Sequence, residues 1–175
     1  MAQQPDEQRQ PVDLIIRLAA NHDHDAIWRI FQTTIAAGDS FVFDANTSRE
    51  KALAYWCAGD AVTFVAEHDG KVIGSYILRA NQPGLGDHVA NAGFMVDASA
   101  RGLGVGRAMG EHCLSEARRR GYRAMQFNFV VSTNESAVHL WRQLGFEIVG
   151  TLPAAFRHAQ KGLVDAFVMF RSLVD

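Results

Sequence analysis

The sequence predicts a mixed α/β fold built on one sheet, and three observations predict it. Apolar residues recur at two-residue spacing in some segments and at helical spacing in others, and the segments interleave in the order β α α β β β α β α β β. An Asp69-Gly70 pair joins two adjacent strand-like runs, which makes part of the sheet antiparallel, whereas two later strand–helix units point to parallel pairs. The 175 residues contain no repeat, no low-complexity segment and no dividing linker, so they read as one domain with a single substantial core.

Each element has a local reason. Residues 1–11 are polar and Gln-rich and are expected to be a disordered tail ahead of a domain over 12–175. Residues 12–20, rich in Leu and Ile, predict the first strand. Residues 25–37 place Ile27, Ile30, Phe31 and Ile35 on one helical stripe that Gly38 closes. A loop over 37–44 carries two exposed-looking aromatics, Phe41 and Phe43, before Ser48 opens a second helix containing Leu53, Tyr55, Trp56 and Cys57. Residues 61–67 and 71–80 form the hairpin strands, and 81–87, with Pro83, Gly84 and Gly86, a loop. A strand over 88–96 runs through a Gly-rich turn into a helix that reaches about Arg120 and ends at Gly121. A strand over 124–131, a helix over 135–144 stopped by Gly145, and strands over 146–152 and 163–170 complete the chain, with 153–162 as their connection.

Composition excludes several functions. Seventeen basic residues nearly balance nineteen acidic ones, so the chain offers no global electrostatic case for nucleic acid or an anionic membrane. Arg118-Arg119-Arg120 falls in a last helical turn, where cations complement the dipole, and reads as a solvated helix end. Cys57 and Cys113 have no ligand spacing and read as small buried hydrophobes. His22 and His24 flank Asp23 and Asp25 at a helix start, where Asp is capping material, and no metal site is expected. No apolar run has membrane-spanning length and the N-terminus lacks a signal-peptide core, which makes a reducing, cytoplasmic setting the expectation.

The chemistry is concentrated in Arg101-Gly102-Leu103-Gly104-Val105-Gly106-Arg107. A strand, a Gly turn and a helix start make an anion site, because free backbone N–H groups converge and the helix dipole adds positive potential. A P-loop needs Gly-Lys-Ser/Thr, but Gly106 is followed by Arg107-Ala108. A dinucleotide fingerprint needs a third glycine where Arg107 stands and an earlier place in the chain. What remains is Arg-x-x-Gly-x-Gly, or a Gly-rich helix entry that binds nothing.

Arg101, Gly104 and Gly106, followed by Asn134-x-x-Ala137-x-x-Leu140-Trp141-x-x-x-Gly145-Phe146, resemble the two motifs of the GCN5-related N-acetyltransferase (GNAT) family, in the family's order. The resemblance covers about residues 12–172 and implies a mostly antiparallel mixed sheet, flanked by helices, whose central parallel strands splay apart. It implies acetyl-CoA as cosubstrate, no metal, and direct transfer of the acetyl group to an amine. Residues 101–107, namely Arg101, Gly102, Leu103, Gly104, Val105, Gly106 and Arg107, would hold the pyrophosphate. Phe94 and Val96 would pair with pantetheine through the main chain, and Asn134 would cap its helix and face the pantetheine arm. Gly93 would mark either a bulge that aims an N–H at the thioester carbonyl or a plain packing position.

The sequence departs from the family at Trp141, where many members have a Tyr whose phenol protonates the leaving thiolate. An indole N–H is no comparable acid, so activity without a Tyr acid is expected, with Trp141 packed against pantetheine or simply in the core. On the acceptor side, Asn91 and Asn128 interrupt apolar strand runs, and no carboxylate lies in 88–96 or 124–131. The two amides are expected to line the splay and position the acceptor, or alternatively to satisfy sheet groups. Strand alternation puts Asn128 on one face with Gln126 and Val130. The 38–44 loop, with Phe41 and Phe43 as substrate contacts, resembles that of members acting on small amino-acid-like amines, and Arg157 could hold a substrate carboxylate or sit on a solvated hairpin. The expected function is acetylation of a small amino-acid-like amine. Acetylation of a protein or peptide amine, or acyl-CoA sensing without catalysis, are the alternatives; homodimerisation, common among relatives, is a further expectation.

Overall fold

A computed structural model of the protein describes residues 13–57 and 59–174. The expected 1–11 tail therefore lies outside the described residues. The chain forms strand β1 (Ile15–Leu18), helix α1 (His24–Ala36), helix α2 (Arg49–Cys57), and the hairpin β2 (Val62–His68) and β3 (Lys71–Ala80). Strand β4 (Val89–Val96) leads to helix α3 (Val105–Arg119), and strand β5 (Ala124–Val131) to helix α4 (Glu135–Gln143). A long hairpin of β6 (Glu147–His158) and β7 (Gly162–Ser172) ends the fold. At the β2–β3 turn both central residues are left-handed, Asp69 at φ 49° and Gly70 at φ 72°, which is the chemistry that a tight hairpin requires.

The seven strands form one sheet in the order β1-β2-β3-β4-β5-β7-β6. Among the described residues only β4 and β5 pair in parallel. The second strand–helix unit therefore yields no parallel pair, because β7 inserts between β5 and β6. Burial explains the choice: β7 brings Ala166 and Met169 into the core, whereas β6 is exposed along most of its length and takes the edge. The 153–162 connection is also shorter than the sequence suggested. Pro153 lies within β6 at an irregularity between Leu152 and Phe156, where Ala154 takes φ 51° and its N–H donates to Asp165 Oδ1 at 2.8 Å. A bulge on an edge strand tolerates the missing proline donor, so the strand passes through.

Each face of the sheet carries its own core. On one face Ile27, Ile30, Phe31 and Ile35 of α1 and Trp56 of α2 cover Val65, Ile77 and Met95. On the other, Val105, Met109, Cys113 and Ala117 of α3 and Trp141 of α4 cover Tyr76, Leu78, Ala92, Met125 and Phe127. Trp56, Ser75 and Tyr76 find polar partners inside these cores. The Trp56 indole N–H donates to Ser75 Oγ at 2.8 Å, and Ser75 donates to the Phe64 carbonyl at 2.8 Å. The fully buried Tyr76 hydroxyl meets His112 Nδ1 at 2.7 Å, where burial pushes the phenol's pKa up and the imidazole's down.

Candidate active site

The site begins where the sheet opens. Strands β4 and β5 pair only at Val89–Ala124 and Ala90–Met125, and then separate. Asn91 spans the gap just beyond, its Nδ2 donating to the Gln126 carbonyl at 2.9 Å. The β3–β4 register runs unbroken from Gly74–Val96 to Ala80–Ala90. It is flanked by main-chain bonds from Asn81 to Val89 and from Asp97 to Ile73, each 2.8 Å. In an antiparallel ladder this register directs the main-chain groups of odd-numbered β4 residues at β3 and those of even-numbered ones at the gap. Phe94 and Val96 therefore present N–H and C=O groups to a gap that no strand fills beyond Ala90.

The same geometry decides against a Gly93 bulge. The register passes through Gly93–Ile77 without a shift, so the Gly93 N–H faces β3. A Cβ there would lie 3.5 Å from Trp56 Cη2 and 3.6 Å from Ile77 Cγ1, ordinary contacts under a packed indole.

Past Val96, Asp97 anchors the turn. Its carboxylate accepts from the Ser99 main-chain N–H at 2.9 Å and hydroxyl at 2.7 Å, and pairs with Arg29. The Ser99 hydroxyl and N–H, with the Arg29 guanidinium, outweigh burial and hold the Asp97 carboxyl down at about 2. The turn then passes Gly102 (φ 80°) and Gly104 (φ 78°), left-handed positions that a side chain would strain. A Cβ at either would meet nothing within 4 Å, so the cradle is open above the chain. Gly104 is the N-cap of α3, and the first helical bond runs from the Ala108 N–H to the Gly104 carbonyl, 3.0 Å. The N–H groups of Val105, Gly106 and Arg107 precede that bond at the positive end of a 15-residue helix. At Gly106 a Cβ would stand 3.4 Å from Leu140 Cδ2, so this glycine also seats α3 on α4. Arg101 and Leu103 are exposed on the turn, while Arg107 pairs with Gln143 and Glu111.

Two residues of α4 meet the gap. Asn134 caps the helix, Oδ1 accepting from the Ala137 N–H at 3.3 Å and the Ser136 hydroxyl at 3.1 Å. Trp141, 8% exposed, lies with its ring centroid 4.8 Å from both Phe94 of β4 and Phe127 of β5. It bridges the separated strands from the α3 side and forms the floor of the gap.

The opposite face gathers polar groups. Gln126 Nε2 donates to Asn128 Oδ1 at 2.8 Å, and Asn128 Nδ2 to Asn81 Oδ1 at 2.6 Å. Asn128 is exposed on this face, with Gln126 half-buried beside it. Val130 is not: a register shift between Phe127 and Val130 turns Val130 back into the core with Phe127, a bulge that the alternation could not show. Phe41 and Phe43 are half-buried rather than exposed, their centroids 6.0 Å from Trp56 and 5.1 Å from Phe31. Two residues that the sequence did not mark as site candidates join them. Arg79, the cross-strand partner of Asn91, donates from Nη2 to the Tyr55 hydroxyl at 2.7 Å, its guanidinium carbon 4.6 Å from that ring's centre. The available signal was a lone Arg closing the run Ile77-Leu78. Arg157, the earlier candidate, lies exposed on β6.

One contact closes this face from above. The Ala159 N–H, at the tip of the β6–β7 hairpin, donates to the Gly38 carbonyl at 2.9 Å. Because α1 packs on β3 and β4 while the hairpin lies beyond β5, the contact straps across β5. A separate cavity of about 660 Å³ between α1, the β2–β3 turn and Asp97 is built differently. Its Arg17 bonds Asp23 and Glu67, and its Arg29 bonds Asp97, so the charges there answer one another.

Residues 24–146 match the acetyltransferase (GNAT) family model, across helices α1 to α4 and both motifs. The chain belongs to the GNAT acetyltransferase family. A GCN5-related N-acetyltransferase from Kribbella flavida is 44% identical and superposes with a TM-score of 0.87, over 91% of this chain and 97% of that one. A phosphinothricin acetyltransferase from Sinorhizobium meliloti, solved in complex with AcCoA, shares the fold at TM-score 0.82 and 23% identity, over 92% and 89% of the two chains. The N-acetyltransferase aca1 of Schizosaccharomyces pombe is 34% identical over 122 residues, 67% of this chain. The chain spans 58% of that relative's length. Within the GNAT fold, the mostly antiparallel sheet and the parted parallel strands agree with the architecture that the two motifs implied.

Proposed function

We propose that this GNAT domain moves the acetyl group of acetyl-CoA to the amine of a small, amino-acid-like acceptor by direct attack. The carrying observation is the main-chain track in which the gap-facing groups of Phe94 and Val96 lead, across the 97–103 turn, to the open glycine cradle of α3. That track fits an extended amide-bearing arm ending in a pyrophosphate. Phe94 and Val96 would pair with the arm as an added strand does. The N–H groups of 104–107 would hold the phosphates without side-chain charge. Acetyl-CoA supplies the acetyl group as a thioester, and its C–S bond breaks as the amine forms the N–C bond.

The acceptor would enter from the α1–α2 face, where Asn91, Gln126 and Asn128 line the opening and Phe41, Phe43 and Tyr55 wall it. No Asp or Glu lies in β4 or β5, so the amine's proton leaves to water at the exposed Asn81–Asn128 amides. The Gly38–Ala159 strap favours a small acceptor, since a polypeptide laid across β5 would have to displace it.

Thiol release from acetyl-CoA, measured over amino acids, simple amines and short peptides, tests this reading. Turnover of small amines ahead of peptides is the expected result. Turnover of peptides alone would transfer the assignment to a protein acceptor. Thermal stabilisation by acetyl-CoA without turnover of any amine would make the domain a sensor.

A further inference from the structure

We infer that Arg79 and Tyr55 form a carboxylate-recognition site for the acceptor, which rests on the acetyl-transfer reading and narrows its substrate to amines bearing a carboxylate. Arg79 lies on β3 directly across from Asn91, so its side chain rises on the acceptor face beside the point where β4 and β5 part. Other arginines on the α1–α2 side are matched by acids: Arg17 by Asp23 and Glu67, Arg29 by Asp97, Arg49 by Asp25. Arg79 is half-buried, and among the described residues its partner is a neutral one, the Tyr55 hydroxyl and ring.

The Tyr55 contact fixes the guanidinium. One N–H is committed to the phenol oxygen at 2.7 Å, and the plane rests near the ring, which is itself wedged against Phe43 at 4.8 Å and Trp56 at 6.3 Å. The remaining guanidinium donors keep their fork, the geometry that binds a carboxylate through two parallel bonds. A half-buried cation held on Tyr55, without a protein anion among the described residues, gains most from an anion brought by a ligand. The neighbouring amides are neutral and take the polar remainder of the acceptor without competing for that charge.

The spacing along the strands sets the order of groups. Phe94, whose main chain faces the gap, lies three residues beyond Asn91, and Asn91 is the cross-strand partner of Arg79. An acceptor with its amine at the gap and its carboxylate turned towards β3 would answer the guanidinium. A simple amine reaches the gap alone and leaves the guanidinium unanswered.

The test compares matched acceptors: glycine, L-alanine, L-methionine and L-proline against their carboxamides, by thiol release from acetyl-CoA. The wild type is expected to favour the acids by roughly 10- to 100-fold in kcat/KM, the range of a charge-assisted pair. Arg79→Gln should collapse that ratio towards one, chiefly through the KM of the acids, and Arg79→Lys should restore part of it. Equal use of acids and amides by the wild type, or an equal loss on both in Arg79→Gln, overturns the inference. Should no amine turn over, the acetyl-transfer reading fails separately, and calorimetry of the four acids with the CoA-saturated protein decides. Binding that Arg79→Gln abolishes upholds the site, and absence of binding to the wild type overturns it.

Discussion

Replacing Trp141 separates packing from chemistry at the point where this chain departs from its family. The ring is 8% exposed and lies 4.8 Å from the Phe94 and Phe127 ring centres and 6.1 Å from that of Phe146. A buried aromatic of this size removes roughly 150–250 Å² from water, worth about 4–6 kcal/mol at about 25 cal/mol per Å². Trp141→Ala should therefore destabilise the fold by about 3–5 kcal/mol, in line with other large-to-small core changes. At roughly 2–4 °C per kcal/mol for a chain of this length, the melting temperature should fall by about 6–20 °C. Trp141→Phe keeps one ring in the gap floor and should cost about 1–2 kcal/mol. A positioned general acid contributes roughly 10²- to 10⁴-fold to rate. Because the proposed reaction uses no acid at this position, Trp141→Phe should raise KM for acetyl-CoA while kcat falls less than about threefold. Trp141→Tyr, which introduces a phenol, should leave kcat within the same range. Calorimetric melting and steady-state thiol release read the two effects apart. A kcat loss of more than about 30-fold in Trp141→Phe at retained stability, or a gain of tenfold in Trp141→Tyr, would refute the reasoning.

Two further outcomes are expected. Asp97 is held at about 2 against an ordinary 3.8, so its contribution to stability is complete above about pH 4 and is lost as the pH falls towards 2. Asp97→Asn should cost roughly 1–2 kcal/mol at neutral pH, with the gap to wild type closing in that acid window; a pH-independent difference in melting temperature would dismiss the ion pair as the cause. Asn128 is exposed and bonded only to other amides, so Asn128→Ala should change stability by no more than about 0.5 kcal/mol. Its kcat/KM for the acceptor should nevertheless drop by about tenfold, the worth of one hydrogen bond, and unaltered kinetics with a small acceptor would end its positioning role.

Much of the fold was legible because its signals are local. Asp69-Gly70, Gly121 and Gly145 punctuate the chain where the backbone needs them, and the apolar stripe of α1 names its own buried face. The glycine turn was legible for the same reason, since Gly102, Gly104 and the start of α3 follow one another along the chain. The acceptor face was less so. Its members come from α2, β3, β4 and β5, and no spacing along the chain marks Tyr55, Arg79 and Gln126 as neighbours.

By itself, then, the sequence determined the order of elements, the single sheet and the glycine turn ahead of α3, all of which depend on residues within one turn or strand of each other. Tertiary structure alone decided that β7 separates β5 from β6, that β6 runs through Pro153, that Gly93 faces Trp56 without a bulge, and that a β5 bulge returns Val130 to the core. It also decided that Arg79 stands across from Asn91 beside the opening. These outcomes turn on strand register and on which surface is buried against which. Both are settled by contacts between segments far apart in the chain, whose relative energies no local pattern records.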